Sequence, residues 1–320
     1  MNINPIITTS GKITQEIYHL DIGQYHIPRS CSVFLLITPK SIVIMDTGTS
    51  EDVYSILKFM KNQFPLRRVR YLIPSHHHFD HSGGMWKLWK IIKDYNPEVK
   101  ILTIERTKKL LQDPNSHHER AKRTFGDFIG IMEPLLDENA YEIVEPSDLI
   151  KIPGLNQSQH LQLVSTPGHT LDHVCPTLFE KDKVKFTYLG EAAGGLLHSK
   201  QLVTLPSSMP PEFDFRVYIQ SLEKLIEMKP QNSGYSHAGA VIGHEGVSEA
   251  LIENKEYSFF FRDFVKSKFS ERGETRFVVE QFIEQELKAR SDVPMNELYT
   301  NYVVAVVYGQ LIDLGLKGPK

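Results

Sequence analysis

Cysteine is almost missing from this chain: 320 residues hold two, Cys31 and Cys175. That argues against a disulfide framework and for a reducing, cytoplasmic compartment. Neither cysteine sits in a CxxC pair or beside a clustered histidine, so both read as small core residues. Long apolar runs are missing too. None approaches the ~20 residues that span a bilayer, so no membrane partner is expected. Met1 to Ser10 lacks a basic segment followed by an apolar one, which argues against secretion. The net charge is only −3, giving no whole-molecule pull toward nucleic acid or acidic lipid. Internal repeats and low-complexity segments are absent as well. With 41% hydrophobic and 23% charged residues, the composition is that of an ordinary globular protein. Its length suits one large domain plus a smaller one.

Histidine, by contrast, is concentrated. The stretch Ser75-His76-His77-His78-Phe79-Asp80-His81-Ser82-Gly83-Gly84 follows an apolar run, Val69 to Ile73, closed by Pro74. It precedes Met85 to Ile92, whose apolar residues recur at helical spacing. The stretch is therefore a strand-to-helix loop. His76 and His78 alternate and can face one side of an extended segment, while Asp80 and His81 follow the turn and can face a second point. Four metal-seeking groups split two and two suggest two adjacent ions.

Around that loop the pattern alternates. Ile13 to Ile22, Val33 to Ile37 and Ile42 to Met45 read as strands, the last two joined by Thr38-Pro39-Lys40-Ser41. Ser50-Glu51-Asp52 opens a helix to about Phe64. Val99 to Ile104 reads as the next strand. This βα alternation marks layered α/β architecture. Glu105 to Asp148 breaks the rhythm: it is polar, carries Arg106, His117, His118, Arg120, Lys122 and Arg123, and contains an amphipathic stretch from Phe125 to Leu136. Helical structure over the active-site face is expected there, against the alternative of a solvated insertion. Leu161 to Ser165, Val174 to Phe179 and Val184 to Leu189 read as strands, and Phe213 to Glu227 as a helix ended by Pro230 and Gly234. From Gly246 the period is helical. One helix carries an aromatic stripe (Phe259, Phe260, Phe261, Phe264, Phe269), a second holds Phe277 and Phe282, and a third runs from Pro294 to Leu314 with Gly315 past its end. The stripe reads as core packing, with a homodimer interface as the alternative.

The motif His76-x-His78-x-Asp80-His81 resembles the signature of the metallo-β-lactamase superfamily. The likeness extends to Asp46-Thr47-Gly48, Thr166-Pro167-Gly168-His169-Thr170, Leu189-Gly190-Glu191 and Ser236-His237-Ala238-Gly239, in the superfamily's order, over roughly Ile13 to His244. The resemblance implies a four-layer αβ/βα sandwich in residues 1–245, with an appended helical region in 246–320. It implies His76, His78 and His169 around one ion, Asp80, His81 and His237 around a second, and Glu191 bridging. Asp46 is expected to support the site through the outer nitrogen of a ligand histidine. Asp172 and His173 read as structural or supporting. Glu191 departs from the family's usual Asp and carries one more methylene. Some alkylsulfatase-like relatives use Glu this way, but a mononuclear site stays open.

Two ions ~3.5–4 Å apart can ionise water and polarise a substrate oxygen, with Asp80 orienting the nucleophile and passing a proton to the leaving group. Zinc is the expected metal, with iron and manganese as alternatives. His26, His198 and Tyr235 are candidate pocket residues. The expected activity is hydrolysis of an ester-type bond (thioester, lactone or related ester) in a small molecule, since hydroxyacylglutathione hydrolases resemble this layout. Two other activities remain open. A nuclease or phosphodiesterase would use the Arg106 to Arg123 cluster as its basic groove, and an iron enzyme resembling persulfide dioxygenases would need one metal.

Overall fold

The computed structural model describes residues 5–61, 63–196, 203–292 and 295–318. Two sheets form its centre. The first has seven strands in the order Gly11–Lys12, Ile17–Asp21, Ser32–Ile37, Ile42–Met45, Val69–Ile73, Lys100–Thr103 and Tyr141–Ile143. Its early strands pair antiparallel and the rest parallel, from Ile42–Met45 onward. The second has six, in the order Ile6–Ile7, Gly239–Ile242, Asn232–Tyr235, Lys183–Tyr188, Val174–Glu180 and Gln159–Ser165.

Strand alternation explains how the sheets stack. In Ser32–Ile37, Phe34 and Leu36 point into a cluster shared with Leu161, Leu178, Phe186 and Tyr188 of the other sheet. Their neighbours Val33 and Leu35 point the opposite way, onto the helices Val53–Met60 and Met85–Lys93. The ring of Phe34 sits 5.2 Å from that of Tyr188 and 5.5 Å from that of Phe186. The outer face of the second sheet is covered by the helix Phe215–Glu227 and by the start of the helix His244–Arg272, through Tyr218, Leu222, Val247 and Leu251. The result is a four-layer αβ/βα sandwich. Cys31 and Cys175 are free and buried, and no helix among the described residues is long and apolar enough to cross a membrane.

Several boundaries differ from the sequence reading, each for a local reason. Ile13 is not in a strand. Thr14 turns the chain there, its hydroxyl accepting from the N–H groups of Glu16 and Ile17. Of the helical structure expected in Glu105 to Asp148, Glu105–Gln112 and Asn115–Phe125 form, while the amphipathic stretch beyond Phe125 continues only as the short turn Gly126–Ile129. Gly126 and Gly130, both at positive φ, end that run. Tyr141–Ile143, unforeseen, adds a parallel edge strand. Asn232–Tyr235 and Gly239–Ile242 are short, paired strands where only breakers were expected.

The C-terminal helices, His244–Arg272, Thr275–Phe282 and Glu297–Asp313, build their own cluster around Phe261, Val265, Phe282, Val306 and Leu311. The aromatic stripe divides there. Phe261 is buried, while Phe259 and Phe260 are 47% and 43% exposed. Pro294 lies outside the described residues. Asn296 caps the last helix instead, its side chain accepting from the Tyr299 N–H. That helix meets the rest of the protein at Gly309, where an added Cβ would overlap the Ser208 carbonyl oxygen. Ser208 Oγ in turn donates to the Val306 carbonyl at 2.8 Å. Gly309→Ala is therefore expected to destabilise the protein by about 1–3 kcal/mol through forced separation, read as a lowered urea midpoint with unchanged slope. An unaltered midpoint would show that the helix can move off without cost.

Candidate metal centre

The ends of the strands and the loops after them carry the polar cluster. Asp46 follows the strand Ile42–Met45, and His76 to His81 follow Val69–Ile73. His169 and Glu191 follow strands of the second sheet, and His237 sits between its last two. A glycine makes one of these approaches possible. At Gly168, with φ near +132°, a Cβ would overlap the backbone of Tyr218. Only glycine lets that loop lie close enough to turn His169 inward.

The structure brings His76, His78, His169 and Glu191 into one group, and Asp80, His81 and His237 into another. His169 Nε2 lies 3.2 Å from His76 Nε2 and 3.0 Å from His78 Nδ1. Glu191 touches both groups. One carboxylate oxygen is 2.8 Å from His169 Nε2, 3.5 Å from His76 Nε2 and 3.4 Å from His81 Nε2; the other is 3.6 Å from His237 Nε2. Asp80 lies 3.3 Å from His81 Nε2 and 3.9 Å from His237 Nε2.

The outer nitrogens of four of these imidazoles are fixed. His81 Nδ1 is 3.2 Å from Asp46, His169 Nδ1 is 2.7 Å from the Ser207 carbonyl, His237 Nδ1 is 2.6 Å from the Ser30 carbonyl, and His76 Nδ1 is 3.0 Å from Ser75 Oγ. Partners of this kind set the tautomer, so that the other nitrogen presents a lone pair inward. Asp46 also accepts from the Ser75 N–H at 2.6 Å, Ser75 Oγ at 2.7 Å and Tyr188 OH at 2.7 Å. Those bonds hold it at φ +61°, a strained backbone for a residue with a side chain.

Burial sets the electrostatics. It drives His76 and His78 well below the ordinary imidazole range, helped by the neighbouring rings. It would also raise Glu191, but His169 and the surrounding imidazoles outweigh it and hold that carboxylate well below its usual value. His81 moves the other way: burial opposes its proton, and Asp80, Asp46 and Glu191 overcome that. Two buried nitrogens, His81 Nε2 and His237 Nε2, have no hydrogen-bond partner among the described residues. Buried polar atoms are rarely left so. Imidazole nitrogens and carboxylate oxygens converging on such orphaned atoms are a donor set that fits divalent cations.

Asp172 and His173, expected to be structural or supporting, lie behind the cluster, beside others that the sequence did not announce. His173 Nε2 accepts from the Glu191 N–H at 3.1 Å while its Nδ1 meets Thr166 Oγ1 at 2.8 Å. Burial, then the charge of His169, keeps His173 neutral, with its pKa near 3. Asp172 grips His77 Nδ1 at 2.8 Å and Thr107 Oγ1 at 3.0 Å. Burial would raise Asp172, but His77 holds it at about 2. His77, the unassigned middle residue of the triple histidine, thus braces the loop. Ser207, which donates to Glu191 as well as supplying a carbonyl to His169, had no motif to announce it. His117 stacks on His78 at 4.9 Å and accepts from the Phe79 N–H at 3.1 Å.

Asp80, Glu191, His78 and His237 line a cavity of about 820 Å³. Two of the expected pocket residues do not face it. Tyr235 is wholly buried in the apolar cluster beneath the second sheet, because Asn232–Tyr235 is a strand whose alternation turns that ring inward. His26 is exposed and absent from the lining, though Gln24, Tyr25 and Arg29 beside it contribute. His198 lies outside the described residues. The lining comes instead from elements that carried no motif, among them Tyr302 of the last helix, whose hydroxyl is 3.4 Å from Ser207 Oγ.

Asp46→Asn keeps the volume and removes the charge that faces His81. It is expected to weaken zinc binding ten- to a hundredfold, measured by competition with a chromophoric chelator. Unchanged affinity would show that Asp46 serves the backbone alone.

A family model described as the metallo-beta-lactamase superfamily matches residues 26–237. The metallo-beta-lactamase fold-containing protein ST1585 of Sulfurisphaera tokodaii is 27% identical over 231 residues, covering 70% of this chain and 79% of its own. The crystal structure of an archaeal metallo-beta-lactamase superfamily protein, ST1585 from Sulfolobus tokodaii, superposes with a TM-score of 0.65 at 21% identity, covering 93% of this chain and 99% of that one. The sec-alkylsulfatase Pisa1 from Pseudomonas sp. superposes with a TM-score of 0.58 at 13% identity, over 94% of this chain and 49% of that one.

Proposed function

The chain belongs to the metallo-beta-lactamase superfamily, and within that group of metal-binding proteins, broadly metallo-hydrolases, we propose that it cleaves an ester-type bond of a small molecule. The bond is that of a thioester, lactone or related ester, as in hydroxyacylglutathione hydrolases. One observation carries the reading. Glu191 lies within reach of imidazoles of both groups at the edge of a roomy cavity, which supports a dinuclear hydrolytic site.

His76, His78 and His169 would hold one ion, Asp80, His81 and His237 would hold a second, and Glu191 lies within reach of both groups. Zinc, iron or manganese suits these donors. When bound, such ions supply ionised water at neutral pH and polarise a carbonyl oxygen. The protein's own groups do the rest. Ser207 orients Glu191 by donating to its carboxylate, and His173 fixes the same residue's backbone. Asp80, its carboxylate open to the cavity, takes the nucleophile's proton and passes it to the leaving oxygen or sulfur. Tyr302, a neutral hydroxyl beside the cavity floor, donates to the substrate from the C-terminal side.

A phosphodiester substrate is the second reading, favoured by Arg120 and Arg123 in the cavity lining. After reconstitution with zinc, iron or manganese, the protein is expected to hydrolyse at least one member of a thioester, lactone and aryl-ester panel. His169→Ala is expected to lose metal content and turnover together, and Asp80→Asn to lower kcat at least a hundredfold with little change in melting temperature. Inactivity on the whole panel, with RNA binding that weakens steeply as salt rises, would replace the ester reading with the phosphodiester one.

A further inference from the structure

The cavity is larger and more apolar than the hydrolysis of a small ester needs. At about 820 Å³ it is near the top of the ~300–1,000 Å³ typical of small-molecule sites. One part of its wall is the cation-binding cluster. Another is built by the C-terminal helices and the segment before them, through Leu205, Val279, Ile283, Leu287, Val303 and Ile312. No carboxylate interrupts that set. The third part is cationic: Arg120 and Arg123, from the last turns of the helix Asn115–Phe125, line the cavity. Neither pairs with a carboxylate among the described residues. Arg120 donates to the hydroxyl of Ser116 at 2.5 Å, and its charge is felt by His77 and His117 beside the cluster. Glu280 also lines the cavity, but Arg276 already neutralises it at 2.8 Å. In a chain of net charge −3, two unmatched guanidiniums facing an apolar chamber form a local exception.

We propose that the substrate is an amphipathic anion: an ester or thioester with a long acyl chain along the C-terminal helices and an anionic leaving half against Arg120 and Arg123. This rests on the ester-hydrolase reading and gives it a substrate class. The acyl–sulfur or acyl–oxygen bond breaks, water supplies hydroxyl to the acyl carbon and a proton to the leaving group, and a fatty acid and an anionic thiol or alcohol depart. A nucleic acid fits less well, because a phosphodiester backbone has nothing to place on the apolar wall.

The experiment uses the metal-reconstituted full-length protein. Straight-chain acyl thioesters of two to sixteen carbons would be assayed with three leaving groups: coenzyme A, which carries phosphates; glutathione, which carries carboxylates; and N-acetylcysteamine, which is uncharged. Each added methylene is expected to raise kcat/KM about threefold until the wall is filled. R120Q/R123Q is expected to lower kcat/KM at least tenfold for the charged leaving group that the arginines read, and by less than threefold for N-acetylcysteamine. Val303→Trp is expected to penalise long chains and spare acetyl. Which of the two charged series responds tells phosphate from carboxylate recognition.

Calorimetric binding of dodecyl phosphate, compared with inorganic phosphate, tests the pocket without turnover. The alkyl chain should tighten binding at least a hundredfold, and R120Q/R123Q should weaken it. A flat chain-length profile with acetyl esters still cleaved would overturn this inference and leave the hydrolase reading standing. No turnover of any ester, with dodecyl phosphate bound tightly and in an arginine-dependent way, would sink the hydrolase reading and keep the pocket. Displacement of dodecyl phosphate by a short single-stranded RNA at equal concentration would overturn the proposal.

Discussion

A carboxylate with 1% of its surface exposed, Glu191, lies among five imidazoles, and the rest of the chain follows from making that tolerable. A lone ionised carboxylate at such depth costs several kcal/mol. The imidazoles around it cannot all be charged, since burial and mutual repulsion push His76 and His78 toward neutrality. Positive charge held in common by several donors resolves the conflict, and divalent cations supply it in the least space. The cluster is therefore costly as protein alone and stabilised once cations bind. Metal content should consequently be coupled to folding stability as well as to turnover.

Holding the donors in place requires rigidity from two directions. Each sheet delivers its candidate ligands at strand ends, where the backbone is already fixed by ladder hydrogen bonds. The loops beyond are then fastened to one another. Val174 N–H donates to the Ser75 carbonyl, linking the histidine loop to the second sheet at 2.8 Å. Asp46 ties Ser75, His81 and Tyr188 into a single knot. The strain of its left-handed backbone is offset by those bonds, which is the usual reason such conformations persist at working sites.

Much of this was legible beforehand, and what was not has a physical explanation. The strands Ile42–Met45 and Val69–Ile73 fall where their unbroken apolar runs put them, because strands buried on both faces have no competing pattern. The histidine loop was readable because several donors in six positions have few other uses. Tyr141–Ile143 was missed because three residues carry too little periodicity. Phe125 to Leu136 misled because its amphipathic spacing is real, while Gly126 and Gly130 stop the helix from using it. His26 and Tyr235 were named as pocket candidates, but a sequence does not fix which way a side chain points. Ser207, His77 and Tyr302 act through contacts between distant segments, which one sequence cannot reveal.

The C-terminal helices are where sequence and site part furthest. Their period marks them as a separate helical run after residue 245, with nothing chemical in the pattern. Yet Tyr302 lies by the floor, Val279, Ile283 and Val303 form a wall, and Gly309 allows contact with the Ser208 backbone, next to the residue whose carbonyl orients His169. A shift of the last helix would therefore be felt at His169, a candidate ligand, through the backbone of Ser207 and Ser208. The contact that shapes the chamber thus lies one residue from a hydrogen-bond partner of the cluster. Changes on the far side of Gly309 should for that reason alter selectivity and metal affinity together, where two independent modules would separate the two effects.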